Sequence, residues 1–215
     1  MKSITITSGG KIVRVGVFPA AGVANPAVVL LHGSGGANSG NHFTSQLAGA
    51  LVAGGYSTFA VEYFDRTSTS YASDEIIPAL FESWLEAIGD SITAIAQYPG
   101  VDAERIGTLG YSLGGYLAVA HPARDARVRS VVEFAGGVDV EFARTIQRLP
   151  PLLVIHGEQD RRVPFAQAIE LENFARRLGS PVETEYFPRE GHLLSPRGVV
   201  QSLQHAVRFF ARHLG

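Results

Sequence analysis

The chain of 215 residues contains no cysteine. That absence removes disulfides, thiolate metal sites and a cysteine nucleophile together. Neither sign of charge dominates: 18 Lys and Arg stand against 20 Asp and Glu, a formal net charge of -2. The chain therefore offers no basic field to a nucleic acid and no polybasic patch to a membrane surface. Long apolar runs are missing as well, and the PAVVLL that begins at Pro26 is far too short to span a bilayer. The first residues, MKSITITSGGKIVRVGVFP, alternate apolar and polar side chains around Ser8-Gly9-Gly10 and lack the continuous apolar core of a signal peptide. They read as an antiparallel hairpin in a soluble, cytoplasmic protein. No repeat, low-complexity tract or linker interrupts the sequence, so residues 1–215 read as a single domain.

What is present is alternation. Short β-branched runs at 27–31, 57–63, 105–109, 129–134, 151–155 and 183–187 read as strands. Longer amphipathic stretches near 41–53, 75–97, 113–121, 165–178 and 199–213 read as helices. Strands that are apolar throughout and alternate with helices imply an α/β class, with a mostly parallel sheet covered on both faces. In such sheets functional groups gather at the carboxyl ends of the strands. Four polar loops follow strands directly: HGSGG from His32, GYSLGG from Gly110, HGEQDRRVP from His156 and REGHLL from Arg189.

GYSLG matches G-x-S-x-G in the context of strand, sharp turn and helix that this pattern requires. Ser112 is then the candidate nucleophile, raised above the sheet edge, and the Leu113 amide points toward the reacting oxygen. Gly114 and Gly115 weaken the helix start, but with Gly110 they let strand and helix pass closely. LLHGSGGANSG also joins a strand to a helix, yet no Lys-Ser/Thr follows its glycines and G-x-G-x-x-G breaks at Asn38. It reads better as the second half of an oxyanion hole, with Ser34 the first choice of donor and Gly35 the second. A plain flexible turn is the competing reading.

A serine hydroxyl needs a base, and the chain has seven histidines. His205 and His213 lie on the terminal helix, His121 sits beside Pro122 at a helix end, and His42 precedes the serine at a helix start. His32 and His156 each precede glycine at a strand end, where shape and a local hydrogen bond suffice to explain them. His192, in a loop after the last strand with no packing pattern around it, is the candidate general base. The orienting carboxylate belongs between serine and base in chain order. Asp160 fits that place, Asp139 after the strand at 129–134 competes with it, and Glu158 lies too close to its strand exit.

With these residues in place the chain resembles the α/β-hydrolases, and within them the dienelactone hydrolase-like family. The likeness runs nearly end to end through VVLLHGSGG, VEYFDR, PGVDAERIGTLGYSLGGYLA, VVEFAGG, LLVIHGEQDRRVP and PREGH. It implies the α/β-hydrolase fold, Ser112, Asp160 and His192 as a triad, and the Leu113 and Ser34 amides as oxyanion donors. One departure stands out. Dienelactone hydrolases carry a cysteine in the elbow and an activating glutamate in the oxyanion loop, where this chain has Ser112 and Gly33. The resemblance therefore implies a serine esterase acting on small esters or lactones through an acyl-enzyme, rather than a hydrolase of dienelactone itself. It needs no metal or organic cofactor, and its only expected partner is the small-molecule substrate.

Two further readings compete: a prolyl-peptidase-like aminoacyl hydrolase, although no propeller or gating segment is evident, and a non-catalytic ligand receptor on the same fold. YFDR places Arg66 near the pocket to meet a substrate carboxylate, or else in a surface pair with Asp65. Between the strands at 129–134 and 151–155 there is room for a turn and one short helix, so no cap domain is expected. The pocket should then be open, walled by Phe64, Tyr71, Tyr111, Phe142 and Leu193, and restricted to short acyl chains.

Overall fold

The structure, a computed structural model, describes residues 2–39 and 41–215, with side chains described except at 38, 39, 41–43 and 140. β1 (Lys2–Ser8) and β2 (Lys11–Phe18) form the expected hairpin, in antiparallel register from Lys2 opposite Val17 to Ser8 opposite Lys11. Gly9 and Gly10 close it with φ of 53° and 75°, the two positive values that a tight hairpin turn matching the strand twist requires.

Strand and helix then alternate. In chain order they are β3 (Asn25–Leu31), α1 (Gly36–Ser39), α2 (Asn41–Ala53), β4 (Ser57–Val61), α3 (Ile77–Ala96), β5 (Val101–Tyr111) and α4 (Leu113–Ala120). β6 (Val128–Phe134), α5 (Val140–Ala143), β7 (Leu152–Gly157), α6 (Ala166–Arg177), β8 (Val182–Phe187) and α7 (Pro196–His213) follow. Helix boundaries fall within a few residues of those read from the sequence. β5 starts earlier than expected, because Val101 already pairs with Asn25 before a register shift leads to Ile106 opposite Ala27.

The eight strands lie in the order β1-β2-β4-β3-β5-β6-β7-β8. β2 is antiparallel to β4, and every pairing from β4 to β8 is parallel. The chain moves outward from β3 to β4 and then crosses back to β5 on the other side of β3. This reversal opens a crevice above the carboxyl ends of β3 and β5, where ligands bind in open α/β sheets.

The strands bury both faces, as their unbroken apolar runs require. On one face Val29 and Leu31 of β3 pack with Trp84 and Ile88 of α3, Leu117 of α4 and Leu171 of α6. On the other, Val28 and Leu30 pack with Leu47 and Leu51 of α2 and Phe209 and Phe210 of α7. Each such side chain contributes about 1.5–3 kcal/mol by leaving water. This is the mostly parallel α/β fold that the sequence led us to expect, with the antiparallel hairpin at one edge. No described helix is long and apolar enough to cross a membrane.

Candidate active site

Ser112 stands between the last residue of β5 and the first of α4, with φ 55° and ψ -119°. Few residues other than glycine adopt positive φ, so the surroundings must hold it there. Its N–H donates to the Phe134 carbonyl at 2.8 Å, and its own carbonyl accepts the Gly115 N–H at 2.8 Å. The glycines at the helix start have a steric cause. A Cβ on Gly110 would overlap the Gly114 carbonyl oxygen, and one on Gly114 would overlap that of Leu31. Only glycine at both positions lets β3, β5 and α4 approach closely enough to form this turn.

The structure brings three of the expected side chains together across the sheet edge. His192 Nε2 lies 3.0 Å from Ser112 Oγ, and His192 Nδ1 lies 2.7 Å from Asp160 Oδ2. Asp160 Oδ1 accepts the backbone N–H groups of Arg162 at 2.8 Å and Val163 at 2.9 Å, which fixes the carboxylate and leaves Oδ2 facing the ring. Nδ1–H then donates to the carboxylate, and the Nε2 lone pair faces the serine hydroxyl. Ser112 and Asp160 are each 7% exposed, while the His192 side chain is 19% exposed, so the imidazole alone meets solvent. The Tyr111 hydroxyl donates to the His192 carbonyl at 3.1 Å and steadies its loop.

Asp139 does none of this. Its Oδ1 caps α5 by accepting the N–H groups of Glu141 at 2.9 Å and Phe142 at 3.3 Å. His205 and His213 are also occupied elsewhere. His205 pairs with Glu185 at 3.0 Å, and His213 lies 3.7 Å from Glu183. Burial pushes both His32 and His121 down to about 4, so each is neutral; His121 is buried, whereas His32 is half-buried and lines the cavity beside Ser112. His32 stacks on Tyr63 with ring centroids 4.1 Å apart. The His42 side chain lies outside the described residues.

His156 was read from sequence as a local strand-end residue, and it does more. Its Nε2–H faces two acceptors, the Val163 carbonyl at 3.0 Å and Asp160 Oδ2 at 3.3 Å. Burial lowers its pKa, and its Nδ1 has no partner among the described residues. The signal was in the sequence: His156 and Asp160 bracket the turn directly after β7. A second buried group supports the elbow from behind. Glu133, in β6, accepts the Gly136 N–H through Oε1 beside Gly115, and burial pushes its carboxyl up to about 8.

The glycine-rich loop after β3 lies directly against the serine. A Cβ on Gly33 would come within 3.3 Å of Ser112 Cβ. Ser34 and Gly35 line the same cavity as Ser112, and neither the Ser34 nor the Leu113 amide donates to a protein acceptor among the described residues. Three loops are also tied to one another. The Ala72 N–H donates to the Ser34 carbonyl at 2.8 Å, and Arg162 Nη1 donates to Asp74 at 2.8 Å.

The cavity beside Ser112 measures about 400 Å³. Of the expected pocket residues, Gly35, Tyr111 and Leu193 line it and four others do not. Arg66 points to the hairpin instead, donating to Ser8 Oγ at 2.8 Å and pairing with Glu86, while Asp65 pairs with Arg14. Phe64 is buried behind the glycine loop against His32 and Trp84. Phe142 packs on Phe81 at 4.7 Å, beneath Arg124. Tyr71 is 61% exposed and only approaches Arg162. Position after a strand end located these residues in the right region, but it did not give the direction of their side chains. Glu62, whose carboxyl burial raises, and Arg162 line the cavity and were not anticipated. The segment between β6 and β7 holds only the four-residue α5, with no helical cap.

The chain is similar to proteins of known kind over almost its whole length. It is 18% identical to a dienelactone hydrolase-like promiscuous phosphotriesterase, P91, from metagenomic libraries, with a TM-score of 0.84 over 100% of this chain and 98% of that one. A dienelactone hydrolase from Anabaena variabilis superposes with a TM-score of 0.80 at 20% identity, over 100% of this chain and 98% of that one. Among curated proteins it is 24% identical to the uncharacterized peptidase YuxL of Bacillus subtilis, over 88% of this chain and 35% of the relative. It is 25% identical to the acylamino-acid-releasing enzyme of Sus scrofa, over 88% of this chain and 32% of that protein. The chain thus spans about a third of the length of these curated relatives. Residues 14–197 match the family model of the dienelactone hydrolases, and this chain belongs to the dienelactone hydrolase family.

Proposed function

We propose that this protein is a serine hydrolase that cleaves small carboxylic esters or lactones through an acyl-enzyme on Ser112. The observation that carries the reading is the hydrogen-bonded chain Ser112 Oγ, His192 and Asp160, with steps of 3.0 and 2.7 Å, at the head of a mostly apolar cavity. In the proposed reaction His192 Nε2 takes the hydroxyl proton as Oγ attacks the carbonyl carbon. The Ser34 and Leu113 N–H groups receive the oxyanion, each such donor being worth about 3 kcal/mol in the transition state. The imidazolium then protonates the leaving alkoxide. Water, deprotonated by the same nitrogen, attacks the acyl-enzyme, and the carboxylic acid leaves as Oγ regains its proton. Asp160 holds the Nδ1–H tautomer throughout.

Ser112→Ala should keep the fold and lose at least about a thousandfold in kcat on p-nitrophenyl acetate. A fluorophosphonate should label the wild type once, at Ser112. Labelling elsewhere, or undiminished turnover in the variant, would refute the assignment. The likeness to proteins named as a peptidase and as acylamino-acid-releasing enzymes favours one second reading, hydrolysis of acylated aminoacyl amides. Comparing kcat/KM for matched ester and amide substrates separates the two. A receptor without catalytic activity would show neither turnover nor labelling.

A further inference from the structure

The cavity beside Ser112 is not confined to the sheet edge. Tyr111 ends β5, and Leu109, two residues and about 6.6 Å down the strand, also lines the cavity. Leu30, Ala60 and Leu109 form one register row across β3, β4 and β5, and all three face the helices α2 and α7. Leu47 of α2 and Val199 of α7 form the opposite wall. Beyond them a second, small void shares Leu47, Leu109, Phe134 and Val199 with the first and continues to Val132, the next residue in that row. Ser202 lines it with a buried hydroxyl that has no partner among the described residues.

A cleft whose apolar floor runs inward from the candidate nucleophile gives an acyl chain apolar surface to be buried against. We infer that this space is the acyl site of the proposed hydrolase and that it takes an uncharged acyl chain of medium length. The inference rests on the ester-hydrolase reading of Ser112. Charge argues for an uncharged chain. The acidic Glu62 lines the cavity, Arg162 is engaged by Asp74, and Arg66 lies at the hairpin. A carboxylate on the acyl group would face Glu62, and among the described residues the one arginine or lysine lining the cavity, Arg162, already has Asp74 as its partner. Size sets the length. An apolar cavity of ~150 Å³ holds benzene, so about 400 Å³ accommodates the ester group with roughly six to eight acyl carbons. The missing cap does not limit the chain, because α2 and α7 provide the walls.

The experiment is kcat/KM for soluble p-nitrophenyl esters from acetate to dodecanoate, on wild type, Val199→Phe and Val199→Ala. Values for the wild type should rise about fourfold per methylene, the equivalent of about 0.8 kcal/mol for each one buried, and peak at hexanoate to octanoate. Val199→Phe fills the inner pocket and should lower the octanoate-to-acetate ratio by about tenfold or more. Val199→Ala, which should fold even if the larger side chain does not, should move the peak to longer chains. Normal acetate turnover with a profile flat or falling from acetate, or ratios unchanged in both variants, overturns this inference and leaves the ester reading intact. No turnover of any ester, with no fluorophosphonate label on Ser112, overturns both.

Discussion

Replacing Asp160 by asparagine tests the proposed chemistry most directly, because the structure dictates how the new amide must sit. Oδ1 accepts two backbone N–H groups, from Arg162 and Val163. Asparagine can satisfy both only with its carbonyl oxygen, which turns its NH₂ toward His192 Nδ1, now 2.7 Å from Oδ2. An NH₂ donor there selects the ring tautomer with its proton on Nε2. That proton faces Ser112 Oγ at 3.0 Å, where a lone pair is needed. The base is thereby blocked while the geometry stays intact. The expected loss is about 10⁴ in kcat, the scale known for this substitution in serine proteases, or about 5.4 kcal/mol in the barrier. KM should change little. Asp139→Asn is the matched control, because asparagine caps a helix as well as aspartate does. Steady-state kinetics on p-nitrophenyl acetate, with thermal melts to confirm folding, measures both. An Asp139→Asn loss equal to or larger than that of Asp160→Asn would refute the assignment of the acid.

Two other expectations concern stability. Glu133 binds its proton more tightly when folded, its carboxyl being pushed up to about 8 by burial. The folded state therefore holds more protons than the unfolded one between the ordinary carboxylate range and about 8, and stability falls as pH rises through that window. Glu133→Gln keeps an acceptor for the Gly136 N–H but cannot ionise, so its Tm relative to wild type should rise from pH ~5 to ~8; a constant difference would show that Glu133 does not titrate there. Gly114→Ala places a methyl group on the Leu31 carbonyl oxygen and should cost roughly 3 kcal/mol or more, as overpacking does. Urea denaturation measures it, and an unchanged midpoint would refute the steric account of the elbow.

Hydrophobic patterning placed the strands and helices, because parallel strands buried on both faces leave short unbroken apolar runs whereas amphipathic helices leave a period of about 3.6 residues. The rule that polar groups gather after strand ends singled out Ser112, Asp160 and His192, which the structure joins in one hydrogen-bonded chain. It failed for Arg66 and Phe142, which follow strand ends but turn toward the hairpin and toward Phe81. Side-chain direction at such positions is set by partners distant in sequence: for Arg66 these are Ser8 and Glu86. The cavity wall was illegible for another reason. Leu30, Leu47, Ala60 and Val199 have the spacing of ordinary core residues, and a gap between elements exists only once they are packed. His156 could have been read, since an imidazole four residues before the expected acid, across one tight turn, is already within reach of it.

The ties between loops bear on how the crevice moves. The loop carrying Ser34 is bound to the 68–76 segment through the Ala72 N–H, and that segment is bound to the loop carrying Asp160 through Asp74 and Arg162. The two ties differ in kind. A backbone hydrogen bond is insensitive to salt, whereas an ion pair between two exposed side chains is worth at most about 1 kcal/mol and weakens as salt screens it. Raising ionic strength should therefore release the 68–76 segment from the Asp160 side while it stays fastened to Ser34. In amide hydrogen exchange, protection around residues 74–76 should fall with added salt while the Ala72 amide keeps its own. The rim would then behave as a flap hinged beside the glycine loop, with the outer side of the crevice the first to loosen.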